Sequence, residues 1–387
     1  MTSSGPSGRD YVAALTGLRG VAAFSVFLFH YAYFNPGIDL GATVPVIGTA
    51  LQFPLSAGFA GVDLFFVLSG FLLTLPFALG AQTGERRTRV GRYAMRRIRR
   101  VFPAYLAQLA LILAVGGWFV SWRPLDGAEL AAHAVMFFNA GPDPVRPLVG
   151  VWWTLPVELS FYLVLPLLAA FARPARWAAL AVLGIALSVV YRAWAARHFG
   201  AAGADPVMLA ANHLPGSLPE FLLGAGGAVL VQACALRGWR PPAWLPETLF
   251  VGGAALAVAW LWCVVRPNGG EYWSGHWSMF VAPAALGGAL TLMVTGLYWG
   301  SRLGRWLFAN PPVYFLGLIS YSLYLWHFVV MQQLEAHAGE AYAGTAGLPR
   351  FLVTTVAVVA VAALSWVLAE RPFYRLGRRR GAGTSAS

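Results

Sequence analysis

Residues 11–33 read Tyr-Val-Ala-Ala-Leu-Thr-Gly-Leu-Arg-Gly-Val-Ala-Ala-Phe-Ser-Val-Phe-Leu-Phe-His-Tyr-Ala-Tyr, an apolar run holding one guanidinium, Arg19, and one imidazole, His30. A helix needs about 20 apolar residues to cross the roughly 30 Å hydrocarbon core of a bilayer, so the run is long enough to span. An arginine in its middle and the lack of a small-residue cleavage site argue against a removed signal peptide. Nine comparable runs follow at 58–79, 98–120, 150–171, 176–195, 218–235, 245–265, 277–298, 313–332 and 349–369, divided by charge, Pro or Gly clusters. The stretch 128–140 is too short to span and is expected to lie at the interface or re-enter. The prediction is an all-α polytopic membrane protein of about ten transmembrane helices. One domain occupies 11–374, between a disordered N-terminus, 1–10, and a basic, disordered tail, 375–387.

Composition agrees. Hydrophobic residues make up 58% of the chain, charged residues only 11%, and mean hydropathy is +0.64, whereas soluble domains carry about 25% charged residues. That hydropathy excludes a free-standing nucleic-acid binder, two Cys exclude a disulfide scaffold, and 14% aromatics exclude intrinsic disorder. No P-loop is present to couple the chain to nucleotide hydrolysis. Cys234 and Cys263 have no His pair beside them, so no metal site is read.

All 27 basic residues are arginine, against 15 acids, for a net charge of +12. Alternating the connections puts 20 arginines on one side, among them Arg9, the run Arg86–Arg100, Arg173, Arg176, Arg237, Arg240, Arg302, Arg305 and Arg371–Arg380. The other side takes six: Arg123, Arg146, Arg192, Arg197, Arg266 and Arg350. The positive-inside rule then places both termini in the cytoplasm. The implied location is a cell membrane, the cytoplasmic membrane of a bacterium, crossed many times.

Charge at membrane depth costs about 2.5–3.5 kcal/mol per residue on insertion scales, so each intramembrane ionisable group needs a reason. The set is Arg19, His30, Asp63, Glu158, Glu220 and His327. Arg19 and His30 stand eleven residues apart, roughly 1100° of helix, which returns within about 20° to the same face after a rise of about 16 Å. The other four are expected in the outer half with His30. Arg19 and the loop from Glu85 to Arg100 form a basic inner mouth. Histidine near a carboxylate is a general base for a hydroxyl proton, while a guanidinium does not titrate and holds anions. No Gly-x-Ser-x-Gly nucleophile elbow is present. Asp63 and Glu220 also fit helix-capping or interface roles, and Tyr321, Tyr324, Trp326 and His327 fit an aromatic belt.

These local sequences resemble the acyltransferase-3 family of integral membrane O-acyltransferases. The pieces are Leu18-Arg19-Gly-Val-Ala-Ala with His30, the family's Arg-x10-His; Gly61-Val-Asp-Leu-Phe-Phe-Val-Leu-Ser-Gly-Phe71; and Arg96–Arg100, which satisfies Arg-x-x-Arg twice. Then come Trp153-Thr-Leu-Pro-Val-Glu158 with Phe161-Tyr162-Leu163, Ile319-Ser-Tyr-Ser-Leu-Tyr-Leu-Trp-His327, and Glu370-Arg-Pro-Phe373. Six pieces in order, from Leu15 to about Tyr374, are specific where any one is weak.

The resemblance implies transfer of an acyl group, acetyl or another short acyl, from acyl-CoA to a hydroxyl of a carbohydrate or macrolide-type acceptor. Acyl-CoA would be a co-substrate, with no permanently bound cofactor and no nucleic acid. His30 would be the catalytic histidine, assisted by Glu158 or Asp63. Arg19, with Arg96 and Arg99 or Arg97 and Arg100, would bind acyl-CoA. Tyr324, His327, Ser69 and Trp153 are candidate substrate contacts. Many relatives carry a C-terminal hydrolase-like domain, and none follows residue 374 here, so a second, soluble transfer step on this polypeptide is not expected. The alternative from another class is a transporter or flippase for an acyl donor or polar lipid, which would use the same intramembrane His, Glu and Arg.

Overall fold

A computed structural model of the chain describes residues 8–35, 53, 55–84, 90–138, 147–268, 271–339, 342 and 344–373. Most of the N-terminal end, all of the tail 375–387, and Glu85 to Arg89 of the basic run therefore lie outside the described residues. The elements are α1 (Gly8–Phe34), α2 (Ala60–Thr83), α3 (Val90–Val115), α4 (Gly127–Ala134), α5 (Thr154–Leu168) and α6 (Pro174–Phe199). They continue as α7 (Ala204–Ala211), α8 (Leu214–Leu236), α9 (Leu245–Asn268), α10 (Trp277–Tyr298), α11 (Arg302–Phe308), α12 (Pro311–Leu318), α13 (Ser320–His337) and α14 (Gly347–Ser365). A 3-10 turn, Gly150–Trp153, leads into α5, and a π-helical turn, Trp366–Glu370, closes α14.

Among the described residues nine helical segments are long and apolar enough to span, and α12 with α13 makes a tenth if the pair is one span. The protein is an all-α polytopic membrane protein. Its outward faces carry Leu163, Leu167, Val182, Leu183, Val190, Val356 and Leu364, all exposed, as a surface solvated by lipid tails requires. The eight-residue α4 stays short, ended at its start by a capping box in which Asp126 accepts from Glu129 N–H and Glu129 from Asp126 N–H.

Two expectations are corrected. Arg92 to Arg100 are helical and not a loop, because α3 begins at Val90, eight residues before the predicted limit; this places the arginines at fixed angular positions. The ninth span is broken, with α12 and α13 meeting at 74°. Asn310 caps α12, its Oδ1 accepting from Val313 N–H at 3.1 Å, and Pro311 and Pro312 start the helix with φ already set.

Close backbone approach fixes the centre of the bundle. α2 and α8 make the most extensive helix pair. A Cβ on Gly70 would stand 2.2 Å from the Phe221 carbonyl oxygen, and one on Gly224 would stand 2.2 Å from that of Val67, so only glycine permits this contact. It sets Asp63 of α2 opposite Glu220 of α8. Gln108 of α3 joins two more helices, donating to Leu325 O at 2.7 Å and accepting from Trp152 Nε1 at 3.0 Å. Near the C-terminal end, Glu370 is buried and accepts from Ser322 Oγ at 2.5 Å, which ties the Glu370-Arg-Pro-Phe motif to α13.

Candidate active site

His30 and Arg19 line different cavities. The larger, about 380 Å³, is lined by His30, Val26 and Phe29 of α1, by Asp63 and Phe66 of α2, and by Trp153, Arg192, Glu220, Trp260 and Tyr324 among others. That is the size of a small-molecule site. The smaller, about 50 Å³, is lined by Arg19, Ser69, Arg97, Arg100, Glu158, Tyr162 and Tyr321. Among the described residues none lines both. The helix α1 thus reaches both cavities, through Arg19 in one and His30 in the other.

The His30 ring is held by a carbonyl and a second imidazole. Its Nδ1 lies 2.9 Å from Val26 O and 3.1 Å from Nε2 of His327. His327 Nδ1 lies 3.1 Å from Leu323 O, so a proton on that nitrogen donates to the carbonyl and leaves Nε2 to accept. The His30 Nδ1 proton then points to His327 and Val26 O, and Nε2 is its basic nitrogen. These tautomers follow from the hydrogen-bond network. Phe328 packs edge-on against His30, at 5.2 Å and 90°.

Several predicted residues stand elsewhere than expected. Glu158 does not share the His30 cavity: it lines the inner pocket, where Oε1 accepts from Ser69 Oγ at 3.2 Å and Oε2 from Tyr162 OH at 2.8 Å. Trp153 and Glu158 are five residues apart, about 140° and 7.5 Å on a helix, so the Trp faces one cavity and the carboxylate the other. Ser69 goes with Glu158. His327 is 0% exposed and lines neither cavity, so its reach is to His30 rather than to substrate. Tyr324 does line the larger cavity, with its hydroxyl occupied by Val151 O at 2.6 Å and Thr154 Oγ1 at 2.8 Å. Of the arginine run, Arg97 and Arg100 enter the inner pocket, while Arg96 is exposed and Arg99, partly buried, lines neither cavity. Arg97 lies over the Tyr162 ring at 5.9 Å, and its Nε has no hydrogen-bond partner among the described residues.

The polar wall of the larger cavity was not legible as such. Glu220 is no cap: it is 2% exposed, in the second turn of α8, and shares a side-chain hydrogen bond with Asp63. Arg192, assigned by topology to the outer loops, is 3% exposed within α6. Its Nε donates to Gly216 O at 3.0 Å, one terminal nitrogen to Met279 O at 3.1 Å, and the other to Asn212 Oδ1 at 2.8 Å. Each of its three nitrogens is thus bonded to the protein, and its charge acts on Asp63 and Glu220. Among the described residues no carboxylate bonds the His30 ring directly.

A family profile described as an acyltransferase domain matches residues 12–370. The chain is 28% identical over 400 residues to Acyltransferase MdmB of Streptomyces mycarofaciens, covering 96% of this chain and 94% of that one. It is 26% identical to Nodulation protein 10 of Rhizobium leguminosarum bv. viciae, covering 86% of each. Exopolysaccharide production protein ExoZ of Rhizobium meliloti is 28% identical, covering 84% of this chain and 92% of that one. No solved structure matches. With the basic pocket and the His30 cavity on one helix, and a profile match over nearly its whole length, the chain belongs to the acyltransferase-3 family of membrane acyltransferases.

Proposed function

We propose that the protein transfers a short acyl group, such as acetyl, from acyl-CoA at the cytoplasmic side to a hydroxyl of a carbohydrate or macrolide-type acceptor held in the larger cavity. One observation carries this reading: α1 presents Arg19 to a basic pocket and His30 to a cavity of substrate size. Phosphates of the donor bind Arg97, Arg100 and Arg19, since charge-assisted hydrogen bonds to phosphate are strong. The rise of about 16 Å between Arg19 and His30 suits an extended pantetheine arm. His30 Nε2 takes the acceptor's hydroxyl proton as that oxygen attacks the thioester carbonyl. The tetrahedral intermediate expels the CoA thiolate, which takes the proton back from the imidazolium. His327 holds His30 in the tautomer with Nε2 free.

The acceptor reading draws on the cavity's chemistry, in which aromatic walls (Phe66, Trp153, Trp260, Tyr324) face a carboxyl pair able to accept from hydroxyls. ExoZ is named for exopolysaccharide production, which agrees with a carbohydrate. The arginine asymmetry supports a cytoplasmic donor side and the cytoplasmic membrane of a bacterium as location. Purified protein given acetyl-CoA and candidate sugar or macrolide acceptors is expected to release CoA only when acceptor is present. Acyl-CoA binding without turnover on any acceptor would contradict the reading.

A further inference from the structure

The two cavities are too unequal to share a substrate as they stand. The inner pocket, about 50 Å³, is much the smaller of the two. Side chains stand between them, since no described residue lines both. A donor seated on Arg97 and Arg19 reaches His30 only if the partition between the cavities opens.

The partition has a fixed side and a side with no polar tether. Phe65 lines the inner pocket and Tyr324 the larger cavity, with their rings in edge-to-face contact at 6.1 Å. The Arg19 guanidinium lies 6.0 Å from the centroid of the Phe65 ring. Tyr324 is pinned by its bonds to Val151 O and Thr154, and His327 beyond it is pinned by Leu323 O. The Phe65 side chain has no polar atom to tie it. It is half-buried where three separate hydrophobic clusters of the core meet, packed against the edge of each. A ring at such a junction can change rotamer without breaking a hydrogen bond, and the space it vacates joins the two cavities.

We infer that Phe65 is the gate through which the acyl thioester passes to His30, and that the space it yields limits the length of the acyl group accepted. This rests on the acyl-CoA reading above. The next residue, Phe66, stacks on Phe221 at 4.6 Å and stays with the larger cavity, so only the first ring of the Phe-Phe pair faces the boundary. An acetyl group is small enough to pass a ring displaced to one side, and each added methylene demands more of the opening. One methylene refused or admitted by an apolar pocket changes kcat/KM by about 10- to 200-fold.

The test uses full-length protein in nanodiscs, with an acceptor that supports turnover. CoA release is measured with acetyl-, butyryl- and hexanoyl-CoA for wild type, Phe65→Ala and Phe65→Trp. Phe65→Ala is expected to raise the hexanoyl-to-acetyl ratio of kcat/KM by about tenfold or more, and Phe65→Trp to lower the butyryl-to-acetyl ratio. Ratios within one preparation cancel any difference in folded fraction. Phe65→Ala is also expected to increase acceptor-independent hydrolysis, in which water replaces the acceptor hydroxyl and yields free acid and CoA. If wild type turns over while the ratios stay unchanged in both variants, or all three donors fall in parallel, Phe65 is a packing residue and the gate is refuted. If wild type releases CoA from no thioester with any acceptor, the transfer reading fails and the gate fails with it.

Discussion

Replacing Arg97 by alanine, beside the same change at Arg96, separates the two registers of the arginine pair. Both registers satisfy Arg-x-x-Arg, and the helical start of α3 turns only Arg97 and Arg100 toward Arg19 and Glu158. A charge-assisted hydrogen bond is worth about 1.5–3 kcal/mol, and 1.4 kcal/mol is a factor of ten in affinity. Arg97→Ala should therefore raise KM for acyl-CoA by about 10- to 150-fold. Arg96 is exposed, where an ion pair contributes about 0–1 kcal/mol, and Arg99 lies outside the pocket, so Arg96→Ala should raise KM by about fivefold at most and Arg99→Ala by less than Arg97→Ala. The assay is the initial rate of CoA release against acyl-CoA concentration, at two ionic strengths. Contacts made by Arg96 and Arg99 should weaken further in high salt, because their separation from the donor is filled by solvent. Arg97→Lys keeps a charge but loses the planar fork, and should recover only part of the affinity. An equal rise in KM for the two registers, or a larger one at Arg96 and Arg99, would refute this placement of the donor.

Three other outcomes follow from the same geometry. His327→Leu removes one of the two acceptors that select the His30 tautomer, a neutral hydrogen bond worth about 1 kcal/mol, so kcat should fall about fivefold with donor KM unchanged; His327→Gln, which keeps an acceptor, should recover much of it, and a matching loss in both variants would contradict a positioning role. Arg192→Met leaves the Asp63–Glu220 pair without its cation, and breaking a buried charge arrangement costs about 3–5 kcal/mol; unfolding in an SDS titration should show that loss, and an unchanged midpoint would show that Arg192 compensates nothing. His133 lies outside the spans, with Nδ1 2.8 Å from Glu129 O and Nε2 accepting from Leu148 N–H at 3.2 Å, and burial holds its pKa below the usual value. Its folded form is neutral, so the stability it lends to this region is complete above about pH 6.5 and declines as pH falls below that value; hydrogen exchange at the Leu148 amide, corrected for intrinsic rate, should lose protection between pH 7 and 5, and constant protection would contradict it.

Much of the architecture was legible because hydropathy and charge report depth directly. The span predicted at 277–298 coincides with α10, and 11–33 differs from the observed Ala13–Phe34 by two residues or fewer at either end. What composition does not carry is direction around a helix axis. Glu158 was expected in the outer half with His30 and stands instead in the pocket with Arg19, since five residues of helix turn it away from Trp153. Arg192 sits in the last two turns of α6, where a guanidinium usually reaches water, yet backbone carbonyls from α8 and α10 hold it inside. The 74° break between α12 and α13 is invisible to a hydropathy window that reads both halves as apolar. The Arg19–His30 stripe was legible because both residues share one helix, so spacing alone sets their relation. The His30–His327 contact joins residues 297 apart, and no local pattern encodes it.

The central claim is that His30 Nε2 is the base for acyl transfer from the donor side to an acceptor hydroxyl. It is tested most directly by incubating wild type and His30→Gln, purified at equal amounts of folded protein, with isotope-labelled acetyl-CoA and an acceptor. The label on the acceptor is then measured by mass spectrometry. The account predicts an acylated hydroxyl with wild type and, with His30→Gln, loss of product while acyl-CoA binding persists. Transfer by His30→Gln at the wild-type rate would contradict it.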